Sequence, residues 1–159
     1  VDDICLQGYK NIFYIGIGGT ILYAGQMNHI VKEAGSTIPL ILENAADFKW
    51  VGNPYFGKDS IVAIASISGD TKEIVEAVDK VHELGAKVIG YVEKEGSPLY
   101  EKCDYVISTV GGEYYFWYTL TLRFMANAGQ FPKYDQFMKE IQNMPENVVN
   151  IYKPSIIIS

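Results

Sequence analysis

Short apolar runs alternate with longer segments of helical periodicity along most of this chain. The apolar runs predict five β-strands, at Asn11–Ile17, Ile38–Leu42, Ser60–Ala65, Lys87–Val92 and Tyr105–Val110. Because these runs are almost continuously apolar, we expect strands buried on both faces, as in parallel sheets covered by helices. Right-handed crossovers then predict an α/β fold, a three-layer, doubly wound sheet of about five parallel strands.

The segments between the strands and after the last one carry apolar residues at intervals of three and four, which is typical of amphipathic helices. They predict helices at Ile21–Ala34, Thr71–Leu84, Tyr114–Ala128 and Lys133–Asn143, with a short helix near Asp47 and a tail at Asn147–Ser159 that ends in an apolar stretch, Ile156–Ile158. Glu93–Glu95 is interpreted as a solvated turn. The aromatic run Tyr114–Tyr118 is apolar on too many sides for one buried face. We therefore expect that helix to be covered on several sides, through oligomerisation or domain pairing.

Composition and charge restrict the class of protein. The 159 residues are 48% hydrophobic and 20% charged, which indicates one globular domain with a sizeable core. A net charge of −6 disfavours binding to nucleic acid or to an anionic membrane surface. Cys5 and Cys103 are too few for a disulfide framework and lack metal-ligand spacing. We expect no metal, cofactor, nucleic acid or membrane partner. Because the chain opens Val1-Asp2-Asp3 with no signal peptide, we also expect a cytoplasmic protein.

The strongest candidate for a ligand site is Ser66–Thr71, which leads from the third strand into an amphipathic helix. Ser66, Ser68 and Thr71 offer three hydroxyls within six residues, and Gly69 lets the backbone turn and approach a ligand. The free N–H groups and the dipole of the following helix favour an anion at the same place. A phosphate group matches these donors without any Lys or Arg. Helix capping by Ser68 or Asp70 is the alternative, but it needs one residue and leaves the other hydroxyls without a role.

A second glycine-rich turn, Gly16–Thr20, follows the first strand. With Glu43 at the end of the second strand, it partly matches the dinucleotide fingerprint G-x-G-x-x-G. Ile21 replaces the third glycine, and its branched side chain obstructs the close approach of helix and strand. A nucleotide-cofactor oxidoreductase is therefore the weakest hypothesis, because it also leaves Ser66–Thr71 without a role.

Three segments together resemble the sugar isomerase (SIS) domain family. They are G-x-G-x-T at Gly16–Thr20, S-x-S-G-D-T at Ser66–Thr71 and V-G-G-E at Val110–Glu113. The family includes the isomerase half of glucosamine-6-phosphate synthase and the fructosamine-6-phosphate deglycases. The aromatic stretch Glu113–Tyr118 and the sequence Gly129–Pro132 look more like the deglycase branch. The resemblance covers roughly residues 10–130.

The resemblance implies that hydroxyls and N–H groups of the loop after the third strand bind the phosphate of a sugar. The substrate site it implies comprises Gly18, Gly19, Thr20, Ser66, Ile67, Ser68, Gly69, Thr71 and Glu113. For Glu113, stabilisation of a helix N-terminus is an equal interpretation. No catalytic residue is assigned, because His29 and His82 are expected on helix surfaces. The acid–base Glu and His of such enzymes lie in a second domain or a neighbouring subunit.

The expected domain organisation is an SIS domain at residues 1–130, followed by a helical extension and linker at 131–159 that leads toward a second SIS domain outside this chain. The lack of an initiator methionine is consistent with a piece of a longer protein. The first functional hypothesis is the N-terminal half of a deglycase or isomerase that converts fructosamine 6-phosphates to glucose 6-phosphate and amine, as a homodimer or higher oligomer. The alternative is a non-catalytic domain that senses a phosphorylated sugar or amino sugar.

Overall fold

The computed structural model describes the backbone of residues 1–152 and the side chains of residues 1–143. The strands are β1 (Asn11–Gly16), β2 (Leu40–Asn44), β3 (Ser60–Ser66), β4 (Lys87–Val92) and β5 (Tyr105–Ser108). They form one parallel sheet in the order β2-β1-β3-β4-β5. This order confirms the predicted doubly wound α/β sheet.

Helices cover both faces of the sheet. One face carries α1 (Asp2–Gln7), α2 (Gly19–Glu33), α6 (Glu113–Asn127) and α7 (Tyr134–Tyr152), and the other carries α3 (Ala45–Trp50), α4 (Lys72–Glu83) and α5 (Pro98–Lys102). The short helices α1 and α5 were not predicted. None of the described helices combines the length and apolar composition needed to cross a membrane.

The core lies on both sides of β1 and β3, whose residues are all buried. Successive side chains of a strand point to opposite faces, so Ile12 and Tyr14 pack beneath α2 and α6, while Phe13 and Ile15 pack beneath α3 and α4. The continuous apolar pattern of these strands reflects this double burial. The loops that follow β1 and β3 thus start from fully buried strands.

The edge strands differ from the prediction. β2 begins at Leu40 rather than Ile38, because Pro39 has no N–H to donate to the ladder. β5 ends at Ser108 rather than Val110, and the carbonyl of Thr109 accepts a hydrogen bond from the Tyr91 hydroxyl instead of joining the sheet. Both strands lie at an edge, and both are partly exposed.

The predicted end of the last helix at Asn143 is wrong, since α7 continues to Tyr152 and includes the first part of the predicted tail. Pro145 lies within this helix, and proline disfavours helical backbone without always ending a helix. The apolar stretch Ile156–Ile158 lies outside the described residues.

The aromatic helix α6 is covered on several sides, as predicted, but much of the cover comes from this chain. Trp117 and Phe124 are fully buried, and α6 contacts α1, α2, α7 and β4. Tyr114 and Tyr115 remain 41% and 45% exposed. Oligomerisation therefore stays a prediction, because the burial of α6 alone does not require it.

Candidate phosphosugar-binding site

A cleft opens at the carboxyl ends of β1 and β3, where the topology of the sheet reverses. The chain leaving β1 enters α2 on one face, and the chain leaving β3 enters α4 on the other. Open α/β sheets bind ligands at such a switch point. The cleft has a volume of about 410 Å³ and is lined by Ile17, Gly19, Thr20, Tyr23, Ala65, Ser66, Ile67, Ser68, Thr71, Ile74 and Glu113.

The structure brings together seven of the nine residues proposed from the sequence: Gly19, Thr20, Ser66, Ile67, Ser68, Thr71 and Glu113. The other two do not line the cleft, since Gly18 is an exposed N-cap at the start of α2 and Gly69 is buried beneath its loop. The lining residues missed from the sequence are Ile17, Tyr23, Ala65 and Ile74. Tyr23 was detectable, because it lies one helical turn beyond Thr20 and so shares its face of α2.

The segment from Ser66 to Thr71, here called the hydroxyl loop, lines the cleft with the polar side chains of Ser66, Ser68 and Thr71. The buried Ser66 hydroxyl oxygen accepts a hydrogen bond from the Gly69 N–H at 3.1 Å and lies 3.2 Å from Thr71 Oγ1. Only one of these two hydroxyls donates to the other, so one proton remains for a further acceptor. The more exposed Ser68 hydroxyl donates to the Asp70 carboxylate.

The start of α4, directly after the hydroxyl loop, carries backbone donors of its own. The first helical bond runs from the Val75 N–H to the Thr71 carbonyl, which leaves the N–H groups of residues 72–74 outside the helical ladder. Thr71 is the N-cap, and its side chain makes no capping bond. Capping by Ser68 or Asp70 therefore does not account for the hydroxyls of this loop. The described residues that line the cleft include no Lys, Arg or His.

Gly69 sets the shape of the hydroxyl loop. Its φ of +71° lies in the left-handed region, and its carbonyl accepts a hydrogen bond from the Leu99 N–H at 2.9 Å. A Cβ at this position would lie 2.0 Å from Ser97 Oγ. Ser97 is buried, and its hydroxyl has no hydrogen-bond partner among the described residues. Only glycine fits here, so Gly69 contributes backbone geometry rather than a contact in the cleft.

Thr20 stabilises the loop between β1 and α2. Its hydroxyl donates to the Ile17 carbonyl at 2.9 Å and accepts from the Ile17 N–H at 3.0 Å. The Thr20 hydroxyl thus holds its own turn together, and this use of its proton was not foreseen from the sequence. The acidic residue of the dinucleotide hypothesis, Glu43, binds the Asn53 side chain and does not line the cleft.

Glu113 begins α6 and places a carboxyl group in the wall of the cleft. The residue is only 5% exposed, and its Oε1 accepts a hydrogen bond from Trp117 Nε1 at 3.3 Å. Burial raises the pKa of Glu113; the Trp117 bond opposes this rise, and the negative charge of Glu93 adds to it. A carboxyl group with a raised pKa inside a cleft is a group suited to proton transfer or hydroxyl recognition.

Both histidines are exposed on helices, as expected, and neither lines the cleft. His82 Nε2 lies 3.1 Å from Asp104 Oδ2, and His29 lies on α2. Within the described residues, no three His, Cys, Asp or Glu side chains come together as metal ligands would.

Known proteins resemble this chain in fold and sequence. The SIS domain model matches residues 6–128. The isomerizing glutamine–fructose-6-phosphate aminotransferase of Corynebacterium efficiens is 30% identical over 112 residues, which make up 70% of this chain and 18% of that protein. A protein of Salmonella typhimurium LT2, provisionally named a phosphosugar isomerase, superposes with a TM-score of 0.72 and 26% identity over 89% of this chain and 46% of its own.

A more distant structure shows the fold alone. The sugar isomerase domain of the RpiR transcription factor from Sphaerobacter thermophilus has a TM-score of 0.62 and 13% identity, and the match covers 87% of this chain and 83% of that one. The chain spans less than a fifth of the curated relative and about half of the Salmonella protein. Because the family model covers well over half of the residues, the chain belongs to the SIS domain family.

Proposed function

We propose that the cleft binds the phosphate group of a phosphosugar. The observation that carries this proposal is the array of donors at the hydroxyl loop. One hydroxyl proton of the Ser66–Thr71 pair is left over in the cleft, and the N–H groups of residues 72–74 lie outside the helical ladder at the adjoining N-terminus of α4. Phosphate offers several acceptor oxygens to such a set, and the dipole of α4 favours its negative charge.

The rest of the cleft suits the sugar. Its volume of about 410 Å³ falls within the range of small-molecule sites. Tyr23, 39% exposed, presents an aromatic side chain to the cleft, while the Glu113 carboxyl group offers a polar partner for a sugar hydroxyl. Anchoring the phosphate would hold the reacting carbons in place, because remote binding energy contributes to orientation.

We further propose that the chain is the N-terminal half of a cytoplasmic deglycase or isomerase for fructosamine 6-phosphates. The reaction would move a proton between C1 and C2, and water would then release the amine and leave glucose 6-phosphate. The relatives support an isomerase of this group, since the SIS match extends over most of the chain. The double length of the Salmonella protein supports a second domain beyond residues 131–159, and a homodimer is the expected assembly.

The second candidate is a domain that senses a phosphosugar without turnover. It is favoured by the composition of the cleft, because among its described lining residues Glu113 is the one carboxyl group and no histidine is present. General acid–base catalysis normally needs a donor and an acceptor of protons. Both candidates share the phosphate site and differ only in whether a second domain supplies the missing group.

The phosphate site is tested by the double substitution Ser66→Ala with Ser68→Ala. Wild-type protein should gain thermal stability with fructose 6-phosphate, by about 2.7 kcal/mol at a ligand concentration one hundred times Kd. The double variant should lose this gain, while Ser108→Ala, at the end of β5 and outside the cleft, should keep it. An unchanged ligand-induced shift in the double variant would remove both serines from the site.

The enzymatic assignment needs the longer protein that contains this chain. It should convert a fructosamine 6-phosphate to glucose 6-phosphate and free amine. Binding of that compound without formation of glucose 6-phosphate would contradict the deglycase proposal and favour the sensing domain.

A further inference from the structure

Glu93 joins the hydroxyl loop, which lines the cleft, to the turn at residues 109–112 that leads into Glu113. Glu93 directly follows β4, at the carboxyl end of the sheet, where the hydroxyl loop follows the neighbouring strand β3. Its N–H donates to the Ile67 carbonyl at 3.1 Å, and its Oε1 accepts from the Gly111 N–H at 2.7 Å. The predicted solvated turn is therefore wrong for Glu93, although Lys94 and Glu95 are exposed.

Tyr91 also contacts the turn at residues 109–112. This fully buried residue accepts a hydrogen bond from the Gly112 N–H at 2.8 Å. Its one hydroxyl proton is shared between the Thr109 carbonyl at 2.5 Å and Glu93 Oε1 at 3.1 Å. The side chains of Tyr91 and Glu93 thus bind three backbone groups of the turn before α6: the Thr109 carbonyl and the N–H groups of Gly111 and Gly112.

The turn leaves no space for adjustment at Gly112. A Cβ there would lie 2.5 Å from Thr109 Cγ2 and 3.4 Å from the Tyr91 ring. The next residue is Glu113, whose carboxyl group lines the cleft. The position of that carboxyl group therefore depends on how tightly residues 109–112 are held against β4.

We propose that Tyr91 and Glu93 are positioning residues, which hold the turn 109–112 and thereby fix Glu113 in the cleft opposite the hydroxyl loop. This inference rests on the proposed function, because it assumes that the sugar part of the ligand contacts the wall formed by Glu113. Neither residue lines the cleft, so each acts on a ligand through Glu113.

The test compares two ligands, fructose 6-phosphate and inorganic phosphate, in the 159-residue chain. Phosphate alone needs the hydroxyl loop, whereas the sugar also needs the Glu113 wall. In Tyr91→Phe and in Glu93→Ala, Kd for fructose 6-phosphate should rise about tenfold, which corresponds to the loss of roughly one hydrogen bond. Kd for phosphate should stay within about twofold, because the hydroxyl loop is unchanged.

Two further variants separate positioning from simple destabilisation. Glu93→Gln keeps an acceptor for the Gly111 N–H and should restore the fructose 6-phosphate Kd to within about threefold of wild type. Glu95→Ala removes a negative charge two residues away, from an exposed position in the turn after β4, and should change neither Kd. In a double-mutant cycle, Glu93→Ala should add little in a Glu113→Gln background, because both act through one carboxyl group.

The outcomes distinguish this inference from the proposed function. An unchanged Kd for fructose 6-phosphate in Glu93→Ala, or an equal loss for both ligands, would overturn the positioning role, while wild-type binding of both ligands would still support the proposed function. Failure of the wild-type chain to bind either ligand would overturn the proposed function and this inference with it. If Tyr91→Phe unfolds, as judged by circular dichroism, the Glu93 variants decide the question.

Discussion

Replacing Gly69 with alanine should destabilise the protein through two separate costs. An L side chain at φ +71° costs about 1–2 kcal/mol. The new Cβ would also lie 2.0 Å from Ser97 Oγ and 2.6 Å from Ser97 Cβ, and overpacking of this kind costs about 1–3 kcal/mol. The free energy of unfolding should therefore fall by about 2–5 kcal/mol.

Gly129 offers a matched control for the first cost. Its φ is also +71°, but no atom lies within 4 Å of a Cβ built there. Gly129→Ala should lose only the conformational part, about 1–2 kcal/mol. Urea denaturation measures both variants, and in a thermal melt each kcal/mol should appear as a shift in Tm of about 2–4 °C for a chain of this size.

Ser97→Gly provides the second control, because it removes the two atoms nearest to the new Cβ and leaves only the milder approach to Val92 Cγ2 at 3.2 Å. In this background, Gly69→Ala should cost about as much as Gly129→Ala in wild type. The reasoning fails if Gly69→Ala and Gly129→Ala destabilise the wild-type protein equally, or if Ser97→Gly restores nothing. Either result would mean that the hydroxyl loop moves away from Ser97 at little cost.

Three other measurements follow from the structure. Burial raises the pKa of Glu113 above its ordinary value of 4.5, so the stability that Glu113 contributes should be lost as the pH rises from 4.5 through the raised value; across that window, urea midpoints of wild type should fall relative to those of Glu113→Gln. Tyr14→Phe removes a buried 2.8 Å hydrogen bond to Thr121 and should cost about 0.5–1.5 kcal/mol, whereas the exposed Tyr55→Phe should cost nothing measurable. Fructose 6-phosphate affinity should change less than about twofold between low and physiological salt, because no cationic side chain lines the described cleft; a steep loss would contradict that account.

The sheet and the hydroxyl loop were predictable because their causes are local. β1 and β3 are buried on both faces, so their apolar runs are unbroken, and the strong amphipathic pattern of α4 marks where β3 hands over to a helix. The donors Ser66 and Thr71 are close in sequence, so their convergence in the cleft needed no tertiary information.

The contact of Glu93 with Gly111 was not predictable, because the two residues lie 18 positions apart in the sequence. Glu93 follows the apolar end of a strand and precedes the charged residues Lys94 and Glu95, and this pattern is typical of a solvated turn. Only the pairing of β4 with β5 brings Gly111 within reach of its carboxylate. The length of α7 was missed for a different reason, since Pro145 resembles a stop signal that the helix does not obey.

The proposed anion site, without cationic side chains, has a consequence for how the protein would select its ligand. The chain carries a net charge of −6, so its long-range field does not attract a phosphosugar, although salt screens that field beyond roughly 8 Å. Hydroxyl and N–H dipoles act only at contact distance and in fixed directions. Selectivity must then come from shape: that of the donor array, which depends on Gly69, and that of the Glu113 side of the cleft, where we propose that Glu93 acts, although neither Gly69 nor Glu93 lines the cleft. Substitutions that alter this shape should therefore reduce affinity more than substitutions that alter the surface charge of the protein.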